Sequence, residues 1–480
     1  MSKIKNLAGE TILYGVGSIL PKFLNFLLVR LHTDVFPPDE YGIFVKLFAY
    51  VAVINVLFMF GMETAYFRFA TKPGADENKI FNLAQSVVIG ISLTLSLVFL
   101  FMANPIAIGL DIPGQSNLVL WLIAIMFIDA IVAIPFARLR LQKKPTRFAI
   151  GRLCNIAIVI VLNIYFLKIS FDPAVGITYV VVANVIANAF YLFFFFKTLV
   201  SWRPAVDSSM SPTMLNYAFP VMLTGLAGMT NEMFSRQTLD WWLPENFYPG
   251  QTAEYALGIF GACYKYAMLM SLVVQAFRYA AEPFFFSNAV ERDSPVLFAR
   301  VNHYFVIVCC VLLLGVSINL DILKYFLGSE QYWEGLYIVP ILLLAYLFLG
   351  VYYNLSVWFK LTDKTIYGTI ITVGGAVITI AANFLLIPKL GYLGSSWATL
   401  ICYFSMTAAC YLIGQRFYPI PYNVGKSMLY IVGTTALVYV VRLLSFEPTW
   451  ISTIVHMGVI LLFLVLIYFL EKDDFKQSTT

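Results

Sequence analysis

Apolar positions in this chain come in unbroken runs of about twenty residues separated by short polar stretches, the pattern of helices that cross a bilayer. Runs able to span about 30 Å of hydrocarbon begin near Thr11, Gly42, Leu83, Leu118, Phe148 and Ala174. A second set begins near Met214, Tyr255, Val301, Leu336, Ile366, Leu393, Lys426 and Thr449. With no water in the hydrocarbon to satisfy backbone groups, such runs must be helical, so the pattern predicts an all-α membrane protein of about 14 transmembrane helices. The polar segment 201–213, with two prolines and Ser208, Ser209 and Ser211, reads as a linker between six spans and the remaining eight.

The two sides of that linker echo each other. Glu40, Tyr41, Ile43 and Phe44 open the second span, and Glu254, Tyr255, Ile259 and Phe260 open the eighth. The same helices close on Arg68-Phe69-Ala70 and Arg278-Tyr279-Ala280. The repeat predicts two six-helix lobes, 1–206 and 207–416, related by an axis along the membrane normal, with a substrate between them. Two appended helices follow in 417–480.

Composition supports lipid as the solvent: of 480 residues 60% are hydrophobic and only 12% charged, half the charge of an ordinary soluble chain. Lys and Arg collect in alternate junctions, among them Arg68, Lys72 and Lys79, then Arg138, Arg140, Lys143, Lys144 and Arg147, then Arg278, Arg292 and Arg300. With both tails these sum to about 21 cations against about five in the other junctions, which predicts cytoplasmic termini. The polar start and the missing small-residue cleavage site predict that the first helix is retained. All six cysteines fall in apolar runs without CxxC spacing, so neither disulfides nor zinc are expected. The net charge of +5 gives no reason to expect nucleic acid.

Candidate chemistry lies in the charges inside the spans, each costing roughly 2.5–3.5 kcal/mol at mid-bilayer unless it meets a cavity, a partner or an interface. Lys22, Arg30, Lys46, Arg152 and Lys265 stand against Glu63, Asp129 and Glu232, with Arg236, Glu282 and Asp321 near helix ends. In the first span Tyr14, Ser18, Lys22 and Asn25 share about 80° of helix circumference, a polar stripe suited to a wet lumen. Arg152, Asn155 and Asn163 share a similar arc in the fifth span, as do Asn184, Asn188 and Tyr191 in the sixth. Gly258 and Gly261 leave space beside Lys265 for a ligand or a neighbouring helix. Competing readings are snorkelling for Arg30, Lys46 and Arg152, and a structural ion pair with Asp129 or Glu232 for Lys22. Pro21, Pro135, Pro220 and Pro340 lie within spans as kinks. His32, His303 and His456 form no constellation with sequence neighbours and receive no chemistry. Short loops, and the lack of Walker A, HExxH or GxSxG motifs, point away from an enzyme.

Residues 383–399 (NFLLIPKLGYLGSSWAT), read as a tight turn at Pro388 and Gly391 followed by close packing at Gly394 and Ser395, carry a family likeness. Together with Asp39-Glu40-Tyr41-Gly42 and Tyr264-Lys265, they resemble the Wzx-type polysaccharide flippases of the MOP superfamily, whose relatives include MATE exporters and MurJ-like lipid II flippases. The resemblance implies a bacterial inner-membrane protein that carries a polyprenyl-pyrophosphate-linked oligosaccharide from the cytoplasmic to the outer leaflet by alternating access. It implies no metal and no cofactor; polysaccharide assembly proteins and H⁺ or Na⁺ are the other partners considered. Under it Lys22, Arg30 and Lys46, with Arg152 and Lys265, hold the pyrophosphate by charge-assisted hydrogen bonds. Tyr14, Asn25, Asn155, Asn163, Asn184 and Asn188 meet the sugars, and Asp129 or Glu232 couples an ion. A lipid II flippase, a MATE-like ion-coupled exporter, a non-transporting assembly scaffold and a membrane-embedded glycan polymerase or ligase are the alternatives.

Overall fold

The computed structural model describes residues 2–288, 294–444 and 449–477, with side chains from Gly15 onward except at 282, 283, 287, 449 and 473–477. The side chains of Tyr14 and Glu282, and all of Arg292, therefore lie outside the described residues. Among those described there is no strand.

The segment read from the sequence as the first lobe carries α1 (Ser2–Val35), α2 (Pro38–Met59), α3 (Met62–Ala70), α4 (Glu77–Phe101), α5 (Ala103–Gly109), α6 (Ser116–Leu141), α7 (Pro145–Ile164), α8 (Thr178–Phe194) and the short α9 (Phe196–Ser201). The segment read as the second lobe carries α10 (Met210–Trp242), α11 (Ala253–Asn288), α12 (Ser294–Ile318), α13 (Leu320–Leu323), α14 (Val339–Leu355), α15 (Val357–Leu361), α16 (Ile366–Leu390) and α17 (Tyr392–Phe417). Helices α18 (Val424–Leu443) and α19 (Thr449–Gln477), the pair expected to be appended, pack on α12.

Eleven helical stretches among the described residues are long and apolar enough to cross a membrane. The three expected spans outside that set begin near Thr11, Ala174 and Met214. Two of these are the polar-striped α1 and α10, and the third is α8, with only 17 residues.

Local chemistry explains the breaks. The second span divides at Phe60 and Gly61, both left-handed (φ 51° and 67°), where the carbonyl of Ala218 in α10 would lie 2.6 Å from any Cβ at position 61. In the linker Asp207 accepts hydrogen bonds from the amides of Ser209 and Met210 (3.0 Å each) and pairs with Lys79 at 2.9 Å. These donors hold its carboxyl well below the usual carboxylate range. The expected turn at 388–391 is corrected: Pro388 lies inside α16, and Gly391 alone (φ 58°, ψ −135°) reverses the chain. Gly394 does allow close packing, since a Cβ there would stand 2.4 Å from the carbonyl of Leu386.

The lobes meet chiefly where α2 crosses α11. A Cβ on Gly42 would be 1.9 Å from the carbonyl of Glu254, and one on Gly258 would be 1.9 Å from that of Pro38. The contact is reciprocal under a shift of 216 positions (42 to 258, 38 to 254), the offset that relates Ile43-Phe44 to Ile259-Phe260. The internal repeat thus becomes a two-fold contact between backbones that glycine alone lets touch. The space beside Lys265 that Gly258 leaves is filled by the neighbouring helix α2.

The histidines acquire partners too distant in sequence to foresee. At one end of the appended pair, Glu471 is fully buried and accepts from Lys426 (2.8 Å), Tyr430 (2.6 Å) and His303 (3.1 Å). At the other, the Ser452 hydroxyl donates to Asp321 at 2.7 Å beside His456. Both clusters fasten α19 to the second lobe.

Candidate functional site: a cationic cavity between the lobes

Between the lobes lies a cavity of about 390 Å³. The first lobe contributes Lys22, Asn25 and His32 from α1, Phe44 and Phe48 from α2, and Asn163 and Asn184 from α7 and α8; the second contributes Glu232 and Arg236 from α10 and Gly261, Tyr264, Lys265 and Gln275 from α11. A further space of about 310 Å³ shares Lys22, Glu232, Ser271, Gln275 and Tyr346 with it and continues to the exposed Arg278 and Tyr279. The cavity therefore runs from a floor near the α1–α2 turn toward the opposite face.

Three cations and one carboxylate line the main cavity, giving it a net charge of +2 with His32 neutral. Lys22 donates to the Gln275 side-chain oxygen at 2.7 Å, one bond from lobe to lobe. The Arg236 guanidinium lies over the Tyr264 ring at 3.9 Å, and its buried Nε has no hydrogen-bond partner. Among the described residues, Lys265 and Glu232 have neither a hydrogen bond nor a salt bridge. A half-buried ammonium without a protein partner is costly in isolation and becomes favourable when an anion fills the space before it. The His32 Nε2–H donates to the Asn163 side-chain oxygen at 2.9 Å, which fixes that amide toward the cavity wall.

Of the residues singled out from sequence, Lys22, Asn25, Asn163, Asn184, Glu232 and Lys265 are brought together here. Others are placed elsewhere. Arg30 donates to the carbonyls of Tyr325 and of Leu327 (3.2 Å), capping a turn of the second lobe. Lys46 is 2% exposed and bound by Asp240 at 2.8 Å, Glu254 at 3.0 Å and Asp111 at 3.5 Å. Arg152 sits over the Phe136 ring at 4.2 Å within an aromatic cluster that includes Phe148 and Tyr191. Asn155 donates to Asn188 (3.1 Å) and Asn188 to Asp129 (2.9 Å), a ladder inside the first lobe. The structural ion pair considered for Lys22 with Asp129 or Glu232 does not form.

Sequence reasoning missed Arg236 as a cavity residue because it lies near a helix end, and His32 and Gln275 because their partners are far along the chain. The one available signal was spacing: Glu232 and Arg236 are one helical turn apart on α10 and so share a face.

Among solved structures, one described as the lipid II flippase MurJ in an inward closed conformation superposes with a TM-score of 0.70 at 14% identity, covering 95% of this chain and 99% of that one. An inward-facing multidrug resistance MATE family transporter of the MOP superfamily gives 0.62 at 14% identity, covering 85% and 97%. An outward-facing one gives 0.58 at 15%, covering 85% and 93%. These likenesses establish a MurJ/MATE-like fold, and with the eleven long apolar helices among the described residues they indicate a multi-pass membrane protein. Comparison with curated protein sequences gives no match. Residues 27–287, more than half of the chain, match the family described as polysaccharide biosynthesis protein, and to that family this chain belongs.

Proposed function

We propose that this protein is a flippase for a polyprenyl-pyrophosphate-linked oligosaccharide, carrying its headgroup through the interlobe cavity while the lipid tail remains in the bilayer. The observation that supports this most is the excess of cations over carboxylates there, three to one, with Lys265 unpartnered. A pyrophosphate crossing a low-dielectric slab needs such charge to offset its lost hydration, whereas an organic cation would need the opposite sign. We assign Lys22, Arg236 and Lys265 to the pyrophosphate, Asn25, Asn163 and Asn184 to the adjoining sugar, and Glu232 as the titratable group available for coupling to H⁺ or Na⁺.

Under this proposal the termini, and with them the open end of the cavity, lie on the cytoplasmic side of a bacterial inner membrane, an orientation that the lysine and arginine bias supports. On this reading the headgroup enters from the cytoplasmic leaflet. Lipid II carries the same pyrophosphate, and the MurJ-like fold favours it as a second reading.

Reconstitution in vesicles tests the proposal. Labelled polyprenyl-pyrophosphate oligosaccharide should change leaflet, and lipid II in a parallel arm distinguishes the two readings. Equal uptake of an organic cation with no glycan movement would refute both. Flipping indifferent to imposed proton and sodium gradients would remove Glu232 from any coupling role.

A further inference from the structure

The cluster around Lys46 lies outside the cavity and joins the two lobes. Lys46 on α2 and Asp111, just past α5, belong to the first lobe; Asp240 at the end of α10 and Glu254 at the start of α11 belong to the second. An ammonium has three protons, and three oxygens lie within reach of this one: Asp240 at 2.8 Å, Glu254 at 3.0 Å and the carbonyl of Leu110 at 3.2 Å. Asp111 adds a third carboxylate at 3.5 Å. No donor is left for a ligand. Two of the three carboxylates belong to the opposite lobe, so the ammonium carries most of its compensation across the seam.

The other bonds between the lobes at this face hold no buried cation, since the Arg30 guanidinium that donates to the carbonyls of Tyr325 and Leu327 is exposed. The Gln237 side chain donates to the carbonyl of Ala49 at 3.3 Å, the Tyr332 hydroxyl to that of Phe36 at 2.8 Å, and the Thr252 hydroxyl to Asp39 at 2.6 Å. Lys46 is the one buried charge among them. Separating the lobes here strips it of two counter-charges at once.

We propose that Lys46, Asp240 and Glu254, with Asp111 beside them, form a latch that holds the cavity shut at the face of the α1–α2 turn and that must part before the cavity opens there. The inference rests on the alternating-access reading above; what it adds is the contact that sets the balance between closed and open states. The glycine contact of Gly42 and Gly258 lies one turn away on both helices and brings the backbones close enough for these side chains to meet.

The test is a distance distribution across the seam without any glycan. Spin labels on Gln115→Cys and Glu245→Cys, both exposed loop positions, report the separation in the full chain carrying Cys154→Ala, the five other cysteines being buried. Lys46→Met should raise the ratio of the long to the short distance at least about thirtyfold, the effect of removing one partner from buried charge pairs. Lys46→Arg should stay near the parent. Asp240→Asn and Glu254→Gln keep shape and remove one counter-charge each; they should shift the ratio the same way and carry the test if Lys46→Met does not fold. Distributions matching the parent in these variants overturn the latch. A failed vesicle assay would sink the flippase reading and leave the distance shift standing, so the two failures are separable.

Discussion

Lys265 and Arg152 both looked like phosphate ligands from their sequence positions, and their surroundings predict opposite consequences for the same substitution. Lys265→Met removes an ammonium that touches no protein acceptor, so the folded state loses no hydrogen bond and thermal stability should hold or rise. The lost interaction is with the bound anion: a charge-assisted hydrogen bond worth about 1.5–3 kcal/mol, or about 10- to 150-fold in affinity. Arg152→Met instead strips a cation from the Phe136 face at 4.2 Å. That contact is worth about 0.5–2 kcal/mol, so the melting temperature should fall by a few degrees with affinity unchanged. Binding of a labelled polyprenyl-pyrophosphate glycan to detergent-solubilised protein, with a thermal melt of each sample, separates the cases. Undiminished binding by Lys265→Met, or lost binding by Arg152→Met at parental stability, would refute the reading of the cavity.

Three further outcomes are expected. A cysteine in place of the exposed Lys143 should resist an impermeant thiol reagent added to intact cells, and labelling there would overturn the proposed orientation. Glu471→Ala leaves Lys426 and His303 without their buried carboxylate, a loss of about 3–5 kcal/mol that should lower the melting temperature and raise amide exchange in α18 and α19. Because the folded Asp207 carboxyl is held below its unfolded value, its contribution is present above about pH 4 and is lost as pH falls through the lower folded value. Asp207→Asn should therefore speed amide exchange at Ser209 and Met210 near neutral pH and differ little from the parent in strong acid; unchanged exchange at neutral pH would remove that role.

How much of this was legible in the sequence depends on the range of the signal. Helices and their order follow from the length of apolar runs, a local property, and the Ile43-Phe44 and Ile259-Phe260 echo has the same offset of 216 positions as the reciprocal glycine contact, although the echo alone did not say that the two segments touch. The polar stripes were legible only in part: Lys22 with Asn25 of the first, Asn163 of the second and Asn184 of the third face one space, while Arg152, Asn155, Asn188 and Tyr191 bond within the N-terminal half. Sign and span position alone did not separate a cation that faces a cavity from one that faces a partner. Lys46 and Lys265 have similar surroundings along the chain, and what distinguishes them is Asp240 and Glu254, about 200 positions from Lys46, which α10 and α11 bring to it. The same holds for Arg30, whose acceptors are carbonyls near position 326 and have no sequence signature at all.

Placement of the latch and the cavity on the same helices has a mechanical consequence. On α10, Arg236 and Asp240 are four residues and about 6 Å apart, with no proline between them; on α11, Glu254 and Lys265 are separated by about 16 Å of one continuous helix. A displacement of either helix that frees Lys46 must therefore also move a cavity cation. Lys22 stands apart, because α1 contributes nothing to the cluster around Lys46; it meets the second lobe at the cavity through Gln275 and, nearer the closed face, through Arg30 and Thr33. An anion shifts the balance between states only by binding them unequally. Groups on α10 and α11 are placed to register that difference, since their separation from α1 changes when the seam opens. In the proposed cycle the pyrophosphate is thus both cargo and the charge that reports to the latch, drawing Arg236 and Lys265 toward Lys22 in one state and losing that grip in the other.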